Sequence, residues 1–160
     1  MVLLKTIIFT IVVPGSVALL VPYYFFFPSA TPHGFVRYSG LVPIGIGGAI
    51  YFRCAFDFTF AGKGTPAPID PPKQLVVKGL YRYVRNPMYA GVTLVLLGEA
   101  LLFGSLSLAK YAGAAFLLFN LFVWLYEEPA LRTKFGESYR IYCETVPRWL
   151  PRLVRRHGPG

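Results

Sequence analysis

Four apolar stretches, each close to the length of a bilayer crossing, divide the chain, and no other feature narrows its fold as far. A crossing helix needs about 20 apolar residues, because the hydrocarbon core is ~30 Å thick and each helical residue rises ~1.5 Å. The runs at about residues 3–27, 36–56, 87–104 and 109–126 meet or approach that length. Lipid offers no partner to a bare N–H or C=O, so such runs fold as helices that close their own hydrogen bonds. The expected class is all-α: a polytopic transmembrane helical protein of about four spans plus an interfacial amphipathic C-terminal helix, in one domain over residues 1–160. Only 14% of the residues are charged, against about a quarter in soluble domains.

The first run exceeds the ~7–15-residue core of a secretion signal and is read as a retained span. Pro14-Gly15 lies near its middle and removes a backbone donor there, which predicts a kink. A polar turn, Pro28 to Gly34, ends it. Gly40, Gly45, Gly47 and Gly48 give the second run a face that another helix can approach closely. Residues 57–86 form a cytosolic loop with four prolines and three glycines, which excludes a continuous helix. Pro87 suits a helix start, since its missing N–H would be unpaired there. Gly104 to Ser107 form a tight outer turn, so the third and fourth spans make a helical hairpin. The tail from Glu127 to Gly160 is amphipathic, with Leu131, Phe135, Tyr139 and Tyr142 at helical spacing.

The net charge of +9 would suggest a nucleic-acid partner in a soluble chain. Its distribution argues for topology instead. Six of the sixteen basic residues are assigned to one loop (Arg53, Lys63, Lys73, Lys78, Arg82, Arg85) and seven to the tail (Arg132, Lys134, Arg140, Arg148, Arg152, Arg155, Arg156). Basic residues beside spans mark the cytoplasmic side and attract anionic lipid. The expectation is a multi-pass membrane protein with both termini and its active site cytosolic, with lipids and no nucleic acid as partners. Cys54 and Cys143 fall near that face, which implies no disulfide framework. His33 and His157 stand apart with no ligand spacing, so no metal site is expected.

Two constellations carry chemistry. Gly79 to Gly91 holds two arginines, three tyrosines and an Asn-Pro helix start; a helix N-terminus beside arginine suits a carboxylate or phosphate. Glu127 and Glu128 close the predicted fourth span, where the helix dipole disfavours carboxylates by a few tenths to ~1 kcal/mol each. They call for a cationic partner, unless Pro129 opens a new helix behind them or they pair with Arg82 and Arg85. Across a hairpin the two clusters face each other, and a zwitterion with aromatic surface would satisfy both.

These residues resemble the integral-membrane methyltransferases that include isoprenylcysteine carboxyl methyltransferase and the phospholipid methyltransferases. The likeness covers roughly residues 60–152: Gly79-Leu-Tyr81, Arg85-Asn-Pro-Met-Tyr89-Ala-Gly91, Glu127-Glu128, and Phe135-Gly-Glu-Ser-Tyr139 followed by Tyr142 and Val146-Pro147-Arg148. The resemblance implies S-adenosyl-L-methionine as cofactor. It places cofactor contacts on Lys73, Gln74, Leu75, Val76 and Tyr81, on Asn86, Pro87, Met88 and Tyr89, and on Glu127 or Glu128. Many members carry His where this chain has Asn86. The eukaryotic isoprenylcysteine enzymes place an arginine about one turn before the acid pair, where this chain reads Phe122-Val-Trp-Leu-Tyr126.

Glu99 is the one acid well inside a span, ~18 Å beyond Pro87 by helical rise, and an acid in a span is a functional candidate by default. Arg85 and Glu99 are assigned to the chemistry. Arg148, in the matched tail, and Tyr139 are assigned to the substrate. The expected reaction is methyl transfer to a hydrophobic or lipid acceptor (carboxylate, thiol, amine or phenol). The rival from another class is a non-catalytic membrane scaffold or lipid-binding subunit.

Overall fold

The computed structural model describes residues 2–26, 34–62 and 73–151. The turn residues Pro28 to His33, the loop residues 63–72, and Arg152, Arg155, Arg156 and His157 lie outside the described residues.

The chain folds as a bundle built from α1 (Val2–Gly15), α2 (Leu41–Phe60), α3 (Pro87–Phe103), α4 (Leu106–Phe122), α5 (Glu128–Phe135) and α6 (Glu137–Thr145). Among the described residues, three helical stretches are long and apolar enough to cross a membrane: Val2–Phe25, Arg37–Phe60 and Leu106–Phe135. The third predicted span, α3, has 17 residues, about 25 Å of helix, and is the short member of the set.

Prolines explain how the first stretch is wound. The helix passes Pro14 and Pro22 with π-helical turns over Ser16–Leu20 and Pro22–Phe26, where widened turns take up the missing donors. Its contact with α2 is polar: Thr6 and Thr59 share a hydroxyl hydrogen bond of 3.0 Å, and Tyr51 donates to Thr10 at 3.0 Å.

The α2–α3 pair is held differently. Gly40 lies against Gly98, and Gly47 against Gly91, so the antiparallel backbones touch at two points seven residues apart. A Cβ on Gly98 would meet the Gly40 carbonyl oxygen at 2.6 Å, and one on Gly91 would meet the Gly47 oxygen at 2.8 Å. Glycine at these four positions is therefore a steric requirement of close helix approach. Gly45 and Gly48, read from sequence as part of the same face, look onto open space. The main apolar core, Tyr51, Ala55, Val92, Leu96, Ala112 and Ala115, fills the layer where α4 joins this pair.

Three sequence expectations change. The second helix runs on to Phe60 rather than stopping at Phe56, and Arg53, counted above with the loop, lies within α2, where it pairs with Asp57 one turn later at 3.3 Å. α4 begins at Leu106 because the Ser105 hydroxyl accepts from the Leu108 N–H at 3.3 Å and caps the helix three residues earlier than expected. The largest change is at the acid pair. The helix does not end at Tyr126 but continues through a π-helical turn, Val123–Glu127, into α5. Pro129 supplies no N–H, and the chain passes it by bonding the Glu128 N–H to the Val123 oxygen five residues back. Glu127 and Glu128 thus sit inside a continuous helix and away from a negative dipole end.

Candidate active site

At the end of the bundle where α2 finishes and α3 starts, a narrow cleft with about 60 Å³ of space open to water lies between loop, helices and tail. Its wall comes from five parts of the chain. Phe58 projects from α2, Leu75, Val76 and Tyr81 from the loop, Arg85, Asn86, Met88 and Tyr89 from the start of α3, and Val123, Glu127, Glu128 and Leu131 from the long helix. Tyr139 and Tyr142 of α6 close the remaining side.

Local sequence puts each group in place. Gly79 has φ +54°, a left-handed turn conformation that favours glycine, and it rests against the Asp57 carboxylate. The turn aims Tyr81 inward, where it is buried against Cys54 and meets the Phe58 ring edge-on at 5.3 Å. Burial pushes the Tyr81 phenol well above its ordinary range. The Tyr142 hydroxyl donates to the Tyr81 carbonyl at 2.7 Å and ties α6 to this turn. Burial likewise raises the Tyr139 and Tyr142 phenols, so both are neutral donors at physiological pH.

Pro87 occupies the first turn of α3, and a helix start leaves early amides such as those of Met88 and Tyr89 without intrahelical acceptors. Asn86 does not cap that helix with its side chain. Its amide reaches the tail instead, donating from Nδ2 to the Arg148 carbonyl at 3.3 Å, while the Arg85 N–H donates to the Pro147 carbonyl at 2.9 Å.

The two adjacent acids have separate partners. Glu128, with its side chain 5% exposed, receives a two-pronged grip from Arg148 (Nε to Oε1 2.9 Å, Nη2 to Oε2 2.7 Å) and a further contact from Arg85 at 3.1 Å. That grip raises the Arg148 guanidinium above its usual range. Arg85 also donates to the Cys143 sulfur at 2.7 Å, and its Nε is buried without a partner among the described residues. Glu127 accepts a hydrogen bond from the Tyr89 hydroxyl at 2.8 Å. Glu128 is thus committed to two cations within the protein, whereas Glu127 pairs with a neutral donor, the Tyr89 hydroxyl.

Chain comparison places this arrangement. A family model for phospholipid methyltransferases matches residues 37–138. The chain belongs to the phospholipid methyltransferase family. It is 36% identical over 84 residues to the protein-S-isoprenylcysteine O-methyltransferase of Schizosaccharomyces pombe, covering 48% of this chain and 33% of that protein. It is 30% identical over 130 residues to proteins of Oryza sativa subsp. indica and subsp. japonica named "Probable protein-S-isoprenylcysteine O-methyltransferase", covering 78% of this chain and 66% of theirs. The chain therefore spans a third of the yeast relative and about two thirds of the rice ones. No solved structure matches it.

Of the residues that the family resemblance singles out, Leu75, Val76, Tyr81, Asn86, Met88, Tyr89, Glu127 and Glu128 line the cleft, together with Arg85 and Tyr139. Pro87 is buried behind the wall as a helix starter, and Lys73 and Gln74 are exposed outside it. Arg148 does not line the cleft; it braces Glu128 from behind. Glu99 is not brought in. It lies ~18 Å along α3 from Pro87 and four residues from the opposite end. Its carboxylate is buried, with Oε2 lacking a partner among the described residues. Sequence reasoning missed Phe58 and Leu131, because both fall beyond helix ends that the sequence misplaces, and Val123, which is one apolar residue among many in its span.

Proposed function

We propose that this protein is an S-adenosyl-L-methionine-dependent methyltransferase acting on a hydrophobic, membrane-embedded acceptor at the cytosolic face. One observation carries the reading. Across a single aromatic-lined cleft, an anion-favouring group (the α3 start with Arg85) faces a cation-favouring one (Glu127 held by Tyr89). An amino-acid zwitterion needs that pairing, and the family in which it occurs transfers methyl groups. In this reading the α3 amides and Arg85 receive the cofactor carboxylate, Glu127 receives its ammonium, and Phe58, Tyr81 and Tyr139 flank the nucleoside. α3 completes a fourth, short span, and α5 and α6 lie at the bilayer boundary.

S-adenosyl-L-methionine supplies an electrophilic methyl group on a sulfonium centre. The chain's task is then to orient the acceptor and keep water out, which accounts for most of the acceleration of an in-line displacement. Our preferred acceptor is a carboxylate, because it arrives deprotonated. The acids that line the cleft already hold partners, the tyrosines are held protonated by burial, and Glu99 sits at the far end of α3. The names of the yeast and rice relatives, both O-methyltransferases, support the same choice. The Phe122–Tyr126 segment presents no arginine to such an acceptor, so the acceptor differs in its headgroup contacts from the isoprenylcysteine substrates of the eukaryotic enzymes.

The test uses detergent-solubilised protein, methyl-labelled cofactor and a panel of lipophilic acids, thiols, amines and phenols. Label that mild base releases as methanol marks a carboxyl ester and supports the reading. Base-stable label would move the acceptor to nitrogen, sulfur or a phenol. No label with any acceptor, together with no cofactor binding, would return the protein to the scaffold reading.

A further inference from the structure

The tail segment after α6 is pinned across the seam between α3 and α4 by contacts that lie outside the cleft lining. The Trp149 indole N–H donates to Asn120 Oδ1 at 2.9 Å, and its ring lies 4.9 Å from that of Phe116. Asn120 is oriented for this. Its Nδ2 donates to the Phe116 carbonyl at 2.8 Å, which turns the amide oxygen toward the indole. Asn120 lies on the long apolar helix, ~10 Å before Glu127 by helical rise. The residue beside Trp149 is Arg148, whose carbonyl accepts from Asn86 and whose guanidinium grips Glu128. One short strap thus touches the membrane-facing helix through Trp149, the α3 start through the Pro147 and Arg148 carbonyls, and the acid pair through Arg148.

We propose that Trp149 and Asn120 are positioning residues for the cofactor site. Their hydrogen bond seats the strap so that Arg148 occupies Glu128, which leaves Glu127 as the acid that faces the ligand and holds the cleft closed behind it. This rests on the reading of the cleft as a cofactor pocket. It accounts for a polar amide placed in an apolar helix, where an unpaired side chain is costly, and for the tryptophan at the level where an indole is stable at a membrane–water boundary.

The test reads Trp149 directly. The chain has two tryptophans, so Trp124→Phe leaves Trp149 as the sole indole emitter. In that background, titration with S-adenosylhomocysteine is expected to give a saturable change in emission. Asn120→Leu, which keeps the branched shape and removes the acceptor, is expected to shift the unliganded emission to the red and weaken binding about tenfold, the equivalent of ~1.4 kcal/mol, within reach of one hydrogen bond. Asn120→Asp retains an acceptor oxygen and is expected to restore both. In the two-tryptophan protein, Trp149→Phe is expected to weaken binding as much as Asn120→Leu, and the double variant no further, because the two act through one bond. Wild-type affinity in Asn120→Leu, or additive losses in the double variant, would overturn the proposal while leaving the pocket intact. No binding by the parent protein would overturn the pocket and the positioning role together.

Discussion

The length of α3 and its start show two ways of holding a helix in place. Along its length α3 meets α2 through glycines, backbone against backbone. At its start it is held by a network instead: Arg85 on Glu128 and Cys143, Asn86 on the strap, Tyr89 on Glu127. The glycine seam tolerates no added volume, because what it would displace is backbone. The network rests instead on ion pairs and hydrogen bonds between side chains. A rigid seam fixes where the helix start points, and the polar network decides what can bind there.

Five outcomes would break or sharpen that contrast. The largest effect is expected at the seam. Gly98→Leu, whose Cβ would meet the Gly40 oxygen and Ile44 Cγ1 at 2.6 Å, should cost ~3 kcal/mol or more and abolish monodisperse folded protein in detergent. Gly113→Leu, facing open space, should leave the melting temperature nearly unchanged. Equal loss in both variants would show that the seam is not special. Next, Glu128→Ala strands Arg85 and Arg148 and should destabilise by about 3 kcal/mol, the low end for breaking a buried pair because the Arg148 side chain is 35% exposed. Glu127→Gln should behave in the opposite way, with a near-normal melting temperature and S-adenosylhomocysteine affinity lowered roughly thirtyfold (~2 kcal/mol). If the two variants exchange these phenotypes, the division of labour between the acids is wrong.

Tyr89→Phe removes the donor that orients Glu127 and should weaken the same ligand about fivefold, or ~1 kcal/mol. The smallest effect is in alkali. Burial raises the Tyr81, Tyr139 and Tyr142 phenols above the ordinary value near 10, so the unfolded chain ionises first. Their contribution is complete below pH ~10 and is lost as pH rises through the folded values. The melting temperature should therefore fall between pH 10 and 11, and less steeply in Tyr142→Phe.

The membrane helices, the Asn-Pro helix start and the acid pair were legible in the sequence because each has a local cause: unbroken apolar length, a missing N–H, two carboxylates at the end of a greasy run. What was not legible is long-range. Nothing near Glu127 announces that Pro129 is absorbed by a π-helical turn, so the sequence ends a helix that in fact continues. Nothing in Asn120 or Trp149 alone reveals a bond across 29 residues. Gly40 and Gly47 look no different from Gly45 and Gly48 until the partner helix is placed. Glu99 drew attention as an acid in a span, yet helical rise from Pro87 already sets it at the wrong end of α3 for a cleft at the helix start.

The central claim is that the cleft between the α3 start and Glu127 binds the cofactor. Calorimetric titration of the folded, detergent-solubilised protein with S-adenosylhomocysteine tests it without knowledge of the acceptor. Saturable one-site binding that weakens roughly thirtyfold in Glu127→Gln, at unchanged melting temperature, is the expected result. Absence of binding in wild-type protein, or binding that Glu127→Gln leaves untouched, would contradict it.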